Sequence, residues 1–206
     1  PIHIWQSAAA ILFLLLASSV YLSTVGTKAE TDLLQQYIPI AEMRSLTLPD
    51  GTKVQLNSKS TLLYPQEFTG DSRSVFLLGE ANFKVKPDKK RPFIVKSNDL
   101  QITALGTEFN VSAYPESQEI ATTLISGSIR VDYNNLTTSV ILHPNEQFAY
   151  NRNNKKYDLS NPDMDDVTAW QRGELVLQKM TLTDIINVLE RKYPYAFVYS
   201  LSLIHI

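Results

Sequence analysis

The sequence predicts a mainly β protein, in which a twisted β-solenoid or sandwich-like domain lies between an apolar N-terminal segment and a short C-terminal α+β segment. Three observations lead to this prediction. Between residues 45 and 155, short runs of alternating apolar and polar residues are separated by recurring turn residues. An uncharged run of 21 residues precedes that region. A pattern of apolar residues with helical spacing follows it.

The composition favours binding or signalling over catalysis. The 206 residues include 19 Lys and Arg against 21 Asp and Glu, and the net charge is −2. Because affinity for nucleic acid depends on a surplus of basic residues, direct binding to nucleic acid is not expected. The absence of Cys excludes disulfides and thiolate metal sites, and the three His residues form no pair with ligand spacing. No enzyme activity, metal or cofactor is predicted.

The N-terminal apolar run predicts a transmembrane helix within residues 1–27. The uncharged stretch extends from Trp5 to Val25. At 1.5 Å per residue a helix of this length spans about 31 Å, which matches a hydrocarbon core of about 30 Å. The alternative is a cleaved secretory signal, since the small residues at positions 17–19 would suit a cleavage site. Under either interpretation, the residues after about Lys28 lie outside the cytoplasm if the segment runs from inside to outside.

The polar residues 28–43 are predicted as a linker with helical tendency, and an all-β domain is predicted at residues 44–155. The first strands are Ser45 to Leu48 and Thr52 to Leu56, and Asp50-Gly51 between them predicts a tight hairpin. Further strands are predicted at Thr61 to Tyr64, Arg73 to Leu78, Glu80 to Lys86, Phe93 to Ser97, Leu100 to Ala104, Glu108 to Ala113, Ile120 to Ile125, Ser128 to Tyr133, Ser139 to Leu142 and Gln147 to Tyr150.

A faint internal repeat favours stacked coils within this domain. The segment LLGEANFKV at residues 77–85 is similar to ALGTEFNVS at residues 104–112. Repeats of this kind are typical of solenoids, in which each coil packs on the next. In the strand from Glu80 to Lys86, apolar and polar residues alternate strictly, so one face is expected to be buried and the other to contact water.

The last part of the chain predicts a linker and a truncated α+β domain. Residues 156–169 are polar and are interpreted as the linker, and residues 170–200 are interpreted as the domain. In that domain, Glu174 to Gln178 and Phe197 to Ser200 are predicted strands. The final residues 201–206 (LSLIHI) resemble a translated sequencing adapter, and we expect them to be an artefact.

A helix is predicted between these two strands, within residues 179–192. Its apolar residues Leu182, Ile185, Ile186 and Leu189 are spaced at i, i+3, i+4 and i+7. Thr181 is the expected N-cap, with Asp184 three residues later. Two basic residues complement the C-terminal dipole, and a proline ends the helix.

Five segments together resemble the FecR family of membrane-bound anti-sigma factors. They occur in the expected order and cover residues 45 to 200. The segments are LPDGTKVQLNSKSTLLYP at 48–65, RSVFLLGEANFKVKPDKKRPFIVKS at 73–97, ALGTEFNVSAY at 104–114, TTLISGSIRV at 122–131 and WQRGELVLQKMTLTDIINVLERKYPYAFV at 170–198.

The resemblance implies a single-pass protein of the inner membrane with most of its chain in the periplasm. It implies a periplasmic β domain followed by a small domain similar to the short N-terminal domains of secretins and TonB-dependent receptors. The implied partners are the signalling domain of an outer-membrane TonB-dependent receptor and, through a cytoplasmic domain, an ECF-type sigma factor. The signal would pass from the receptor across the inner membrane to transcription.

We place the hypothetical partner surface on the C-terminal strand and helix, because an exposed strand edge and an apolar helix face can both accept another protein. The apolar residues at this spacing are also typical of a core, and for Leu182 and Ile186 that interpretation is the stronger one. The candidate partner-binding residues are Glu174, Leu175, Val176, Leu177, Gln178, Lys179, Leu182, Ile186 and Leu189.

Two other functional classes remain open at the level of the sequence. The first is a carbohydrate-binding or carbohydrate-active β-solenoid of the envelope, in which Glu80 and Glu108 would act as a pair of catalytic carboxylates. Charged residues at the start of a strand are more often simply solvated. The second is a purely structural envelope protein that binds neither a receptor nor a glycan.

Overall fold

The computed structural model describes residues 11–21, 32–133, 135–178 and 180–197. Residues 11–21 form helix α1, in a compact unit made of Pro1–Asp32, and Leu33–Ile206 form the second unit. Within the described ranges no helix combines the length and the apolar character needed to cross a membrane. The predicted transmembrane segment continues beyond α1 on both sides, where it lies outside the described residues.

The second unit is mainly β, as the sequence predicts. Its described residues form thirteen strands. These are β1 (Leu33–Tyr37), β2 (Arg44–Thr47), β3 (Lys53–Leu56), β4 (Thr61–Pro65), β5 (Arg73–Lys84), β6 (Phe93–Ser97), β7 (Leu100–Ala104), β8 (Glu108–Ala113), β9 (Glu119–Ser126), β10 (Ile129–Tyr133), β11 (Thr138–Leu142), β12 (Gln147–Asn151) and β13 (Tyr157–Ser160).

The strands form one curled sheet with two halves that share β5. The first half of β5 pairs with β4 and β6 in sheet A, which continues to β1 on one side and through β7 and β10 to β11 on the other. The second half pairs with β3 and β8 in sheet B, which continues to β2 and through β9 and β12 to β13. The result is a half-barrel.

Apolar residues at alternate positions of both sheets form a single core. On β5, Ala81 and Phe83 are fully buried, whereas the neighbouring Lys84 is exposed. The rings of Phe83 and Phe109 stack across β5 and β8 with their centroids 5.4 Å apart. Because successive side chains of a strand point to opposite faces, this alternation leaves a second, polar face on the outside of sheet B.

The expectation of stacked coils is wrong. Among the described strand pairs only β5–β6 is parallel, and all the others are antiparallel. The two similar segments at residues 77–85 and 104–112 are instead neighbours in one sheet, since residues 79–84 of β5 pair with 108–113 of β8. Similar sequences arise here because adjacent antiparallel strands present the same alternation to one core.

Two local predictions at the start of the domain have opposite outcomes. The Asp50-Gly51 hairpin is confirmed: the Leu48 N–H donates to the Thr52 carbonyl at 2.8 Å, and Gly51 has a φ of 88°. The predicted helical tendency of residues 28–43 is wrong where the structure describes them, because Leu33–Tyr37 pair with β4 along their whole length. Long-range pairing outweighs a weak local preference.

The described C-terminal residues form three short helical elements. They are α2 (Met164–Thr168), a 3₁₀ turn (Ala169–Arg172) and α3 (Leu182–Lys192). The predicted helix cap is confirmed, since the Thr181 hydroxyl accepts a hydrogen bond from the Asp184 N–H at 3.2 Å. The helix ends before Tyr193 and Pro194, as predicted.

The predicted strand at Glu174 to Gln178 is wrong. This segment follows the left-handed Gly173, and no described strand pairs with it. The Glu174 N–H instead donates to the Ala169 carbonyl at 3.1 Å, which closes the 3₁₀ turn. An alternating pattern specifies a strand only where a neighbouring strand offers a ladder of hydrogen bonds.

Candidate functional site

A cleft of about 590 Å³ separates the polar outer face of sheet B from the C-terminal elements. One wall consists of polar side chains from β5, β8 and the loop after β3, among them Asn57, Glu80 and Asn110. The opposite wall is more apolar and includes Trp170, Val176 and Val188 from the 3₁₀ turn, the following segment and α3. The cleft therefore has chemically different walls.

Glu80 is at the centre of the polar wall. Its Oε2 accepts a hydrogen bond from Asn57 Nδ2 at 2.8 Å, and its Oε1 accepts one from Asn110 Nδ2 at 3.0 Å. Burial raises the pKa of Glu80 above its ordinary value, and the two amide hydrogen bonds and the charge of Arg191 oppose this shift only in part. Glu80 is thus a carboxyl group held in place by two amides.

Trp170 connects the C-terminal elements to this group. Its indole Nε1 donates to Asn110 Oδ1 at 3.3 Å, while the same Asn110 side chain donates to Glu80. Asn110 is 5% exposed, so its amide satisfies both partners inside the protein. The 3₁₀ turn is therefore attached to sheet B by a chain of polar contacts.

Arg191 fixes the end of α3 to the β domain. Its Nη1 is 2.8 Å from Glu116 Oε1, and its guanidinium carbon lies 3.8 Å from the centre of the Tyr114 ring. Its carbonyl accepts a hydrogen bond from the Ala41 N–H at 3.0 Å. Burial, followed by the charge of Glu80, raises the pKa of the Tyr114 hydroxyl, which donates to the Ser58 carbonyl at 2.9 Å.

The structure divides the candidate partner-binding residues between packing and exposure. On α3, Ile186 is buried, Leu189 is half-buried and Leu182 is 55% exposed. In the preceding segment, Leu175 and Val176 are half-buried and line the cleft. The exposed candidates are Glu174, Leu177 and Gln178, and the side chain of Glu174 pairs with Arg172 at 2.8 Å. Lys179 lies outside the described residues.

The hypothetical pair of catalytic carboxylates is not assembled. Glu80 lies opposite Ser112, and Glu108 lies opposite Lys84, so four residues of sheet register separate the two glutamates. At about 3.4 Å per residue this places them about 14 Å apart along the strands, beyond the roughly 5 to 9.5 Å that glycoside hydrolysis requires. Glu108 instead pairs with Lys84 at 3.2 Å.

Sequence reasoning missed Asn57, Asn110, Trp170 and Arg191 as parts of one site. Asn110 occupies an outward position of the alternating β8 sequence, which indicates the outer face of the sheet but not the Trp170 and Glu80 contacts made there. Trp170 and Arg191 are about 20 residues apart in sequence. Trp170 contacts Asn110 on β8, whereas Arg191 contacts Glu116 in the loop between β8 and β9. Within the described part of the chain, no group of three or more acidic or His side chains could hold a metal ion.

Comparisons with known proteins agree with this architecture. The profile of the family described as FecR protein matches residues 38–130. Two crystal structures of a candidate anti-sigma factor from Parabacteroides distasonis are similar to this chain, each with 37% sequence identity. One has a TM-score of 0.76 and covers 79% of this chain and 76% of its own. The other has a TM-score of 0.75, with 78% and 75% covered. No curated protein matches the chain.

The fold and its cleft define a half-barrel β protein with a helical C-terminal cover. The family profile and the 37% sequence identity to the two crystal structures, over at least three quarters of each chain, show the family of this protein. The chain belongs to the FecR family of anti-sigma factors.

Proposed function

We propose that the chain is the membrane and periplasmic part of an anti-sigma factor that receives a signal from an outer-membrane TonB-dependent receptor. Membership of the FecR family supports this role and is the observation that carries the proposal. On this proposal the protein is not an enzyme. It passes the signal across the inner membrane by contact between proteins, to an ECF-type sigma factor that binds a cytoplasmic domain of the parent protein.

The uncharged run of 21 residues supports the proposed membrane anchor. In this arrangement the half-barrel lies in the periplasm, and residues 170–200 belong to a small domain related to receptor signalling domains. The net charge of −2 supports regulation through the sigma factor rather than through direct binding to DNA.

We propose that the receptor contacts the exposed side of the C-terminal elements. Leu182 is 55% exposed and Leu177 is 38% exposed, and the polar Gln178, which follows Leu177, is exposed as well. Buried Ile186 and half-buried Leu189 would hold α3 against the β domain instead of contacting the partner. Apolar anchors beside polar residues are typical of a protein interface.

The decisive experiment compares two leucines of equal exposure. The full chain in detergent micelles is titrated with the purified signalling domain of a TonB-dependent receptor encoded with it, and the Kd is measured by calorimetry. We expect L182D to weaken binding at least tenfold, since burying an unpaired carboxylate in an interface is costly. The matched control is L136D, because Leu136 is 56% exposed in the turn between β10 and β11.

Equal affinities of the wild-type protein and L182D would remove α3 from the partner surface. Failure of the wild-type protein to bind any encoded receptor domain would contradict the proposed function itself. The carbohydrate alternative receives no support from the separated carboxylates of Glu80 and Glu108.

A further inference from the structure

A second cavity, of about 520 Å³, lies on the outer face of sheet B away from α3. The β2–β3 hairpin, β5 and β8 form its walls, and Gln171 of the 3₁₀ turn lies at one side. We call it the Asn82 pocket, after a residue on β5 that lies between Gln55 on β3 and Asn110 on β8. None of the residues that line it belongs to the proposed receptor surface.

The NH2 groups of two side-chain amides in the Asn82 pocket have no hydrogen-bond acceptor among the described residues. Asn82 is 6% exposed, and its Nδ2 has no hydrogen-bond partner among the described residues. Gln171 Nε2 is also buried and lacks a partner in the same part of the structure. An unsatisfied buried donor costs about 1 to 3 kcal/mol, so native proteins rarely leave two in one cavity. A bound acceptor would satisfy both.

The charges around the pocket favour a negative acceptor. Lys53 and Lys84 lie directly opposite each other on β3 and β5, so their positive charges repel each other. Glu108 pairs with Lys84 at 3.2 Å, and none of the described acidic residues forms a salt bridge with Lys53. Two lysines and one glutamate leave a single positive charge beside the two amide donors.

We propose that the Asn82 pocket binds a carboxylate group. A carboxylate carries one negative charge, which matches the single excess positive charge, and its two oxygens can accept one hydrogen bond from each amide. A phosphate dianion fits less well, because Glu108 would repel its second charge. A neutral carbonyl group would leave Lys53 without a counter-ion.

The shared chemistry has two possible sources, a small dicarboxylate or a glutamate side chain of a partner polypeptide. The experiment observes the side-chain NH2 signals of Asn82 and Gln171 in nitrogen-15 NMR spectra of the full chain in detergent micelles. Glutarate is one probe, and a capped five-residue peptide with a central glutamate is the other. Acetamide and sodium chloride of equal ionic strength are the controls.

We expect saturable shifts of both NH2 signals with glutarate or the glutamate peptide, and none with acetamide or chloride. Tighter binding of the peptide by tenfold or more assigns the site to a polypeptide side chain, and the reverse order assigns it to a small carboxylate. No saturable shift with either probe, or equal shifts with acetamide or sodium chloride, would overturn the proposal.

Variants separate recognition from folding. N82A removes one donor, and we expect it to weaken binding at least tenfold. N82D keeps the shape of the side chain and replaces the donor by a carboxylate, so it should abolish binding even if N82A does not fold. The matched control is Q101A, which removes an amide opposite Lys96 on the outer face of sheet A. Undiminished binding in a folded N82D protein would contradict the assignment.

Discussion

Arg73 is a charged residue within the core, and it is only 1% exposed. Its Nη1 donates to Asp50 Oδ2 at 2.7 Å and to the Lys86 carbonyl at 2.8 Å, and its Nε donates to the Arg91 carbonyl at 2.9 Å. These contacts connect the first hairpin to both ends of the segment between β5 and β6. A buried charge is tolerated only when it is paired and hydrogen-bonded in this way.

We predict that D50A lowers the free energy of unfolding by about 3 to 5 kcal/mol, because it leaves the Arg73 charge buried without its partner. Urea denaturation of the full chain measures the change. The control is E42A, which removes an ion pair of Glu42 with Arg44 whose side chains are 54% and 48% exposed. Exposed pairs contribute about 0 to 1 kcal/mol, so a similar loss in both variants would contradict the prediction.

Glu80 makes the stability of the β domain depend on pH. Burial raises its pKa in the folded state above the ordinary value of 4.5. Between that value and the higher folded pKa, the folded protein binds more protons than the unfolded chain does. The contribution of Glu80 to the free energy of unfolding therefore falls as pH rises through this window, and it is largest at lower pH.

We predict that E80Q removes this contribution. The difference in free energy of unfolding, E80Q minus wild type, should become more positive as pH rises from 4 towards 7. Chemical denaturation at several pH values measures it, and taking the difference cancels the titration of other groups. A difference that stays constant across this range would show that Glu80 has the same pKa in both states.

Helix α3 is held to the rest of the second unit mainly at its C-terminal end. Arg191 supplies its contacts with Glu116, Tyr114 and Ala41, and Lys192 Nζ donates to the Gly173 carbonyl. The helix buries only Ile186, so few apolar contacts hold it. Elements of this kind open locally at a lower free energy than core strands do.

We predict that R191A lowers the local opening free energy of α3 by about 1 to 2 kcal/mol, through loss of the ion pair and of the cation–π contact. Hydrogen exchange should become faster at the Ile185 and Tyr193 amides and stay unchanged in β5 and β8. R44A is the control, because Arg44 is an exposed arginine on β2. Equally faster exchange in α3 and in the strands would indicate global destabilisation instead.

Local sequence was informative at the scale of elements wherever the interactions are local. The Asp50-Gly51 hairpin and the Thr181 cap need only neighbouring residues, and both were predictable. Leu33–Tyr37 form a strand because β4 lies beside them, and the segment after Gly173 forms none because no described strand pairs with it. Residues far away in the sequence decide that.

Gly79 lies where the two halves of the curled sheet meet. It is the residue at which β5 passes from sheet A to sheet B, and its φ is 99°. A Cβ atom at this position would lie 2.7 Å from the Ser60 Cα atom, which belongs to the backbone and cannot rotate away. The sequence pattern predicted a break between two strands here, and the structure shows a continuous strand of 12 residues instead.

We predict that G79A destabilises both sheets together, by about 2 kcal/mol or more, because it adds a backbone clash to a strained φ. Denaturation followed by circular dichroism and by hydrogen exchange in β6 and β9 should show one shifted transition. The control G70A has no atom within 4 Å of the added Cβ and should change stability little. Loss of only one sheet would contradict the coupling through β5.

The sequence by itself determined the mainly β class, the positions of most strands, the first hairpin and the capped helix α3, since each follows from periodicity or from contacts between near neighbours. Tertiary structure alone decided the half-barrel, the Arg73 network and the assembly of Asn57, Glu80, Asn110 and Trp170. All three features depend on which strands pair with each other. Register brings distant residues into contact, and a single alternating pattern does not specify its partner.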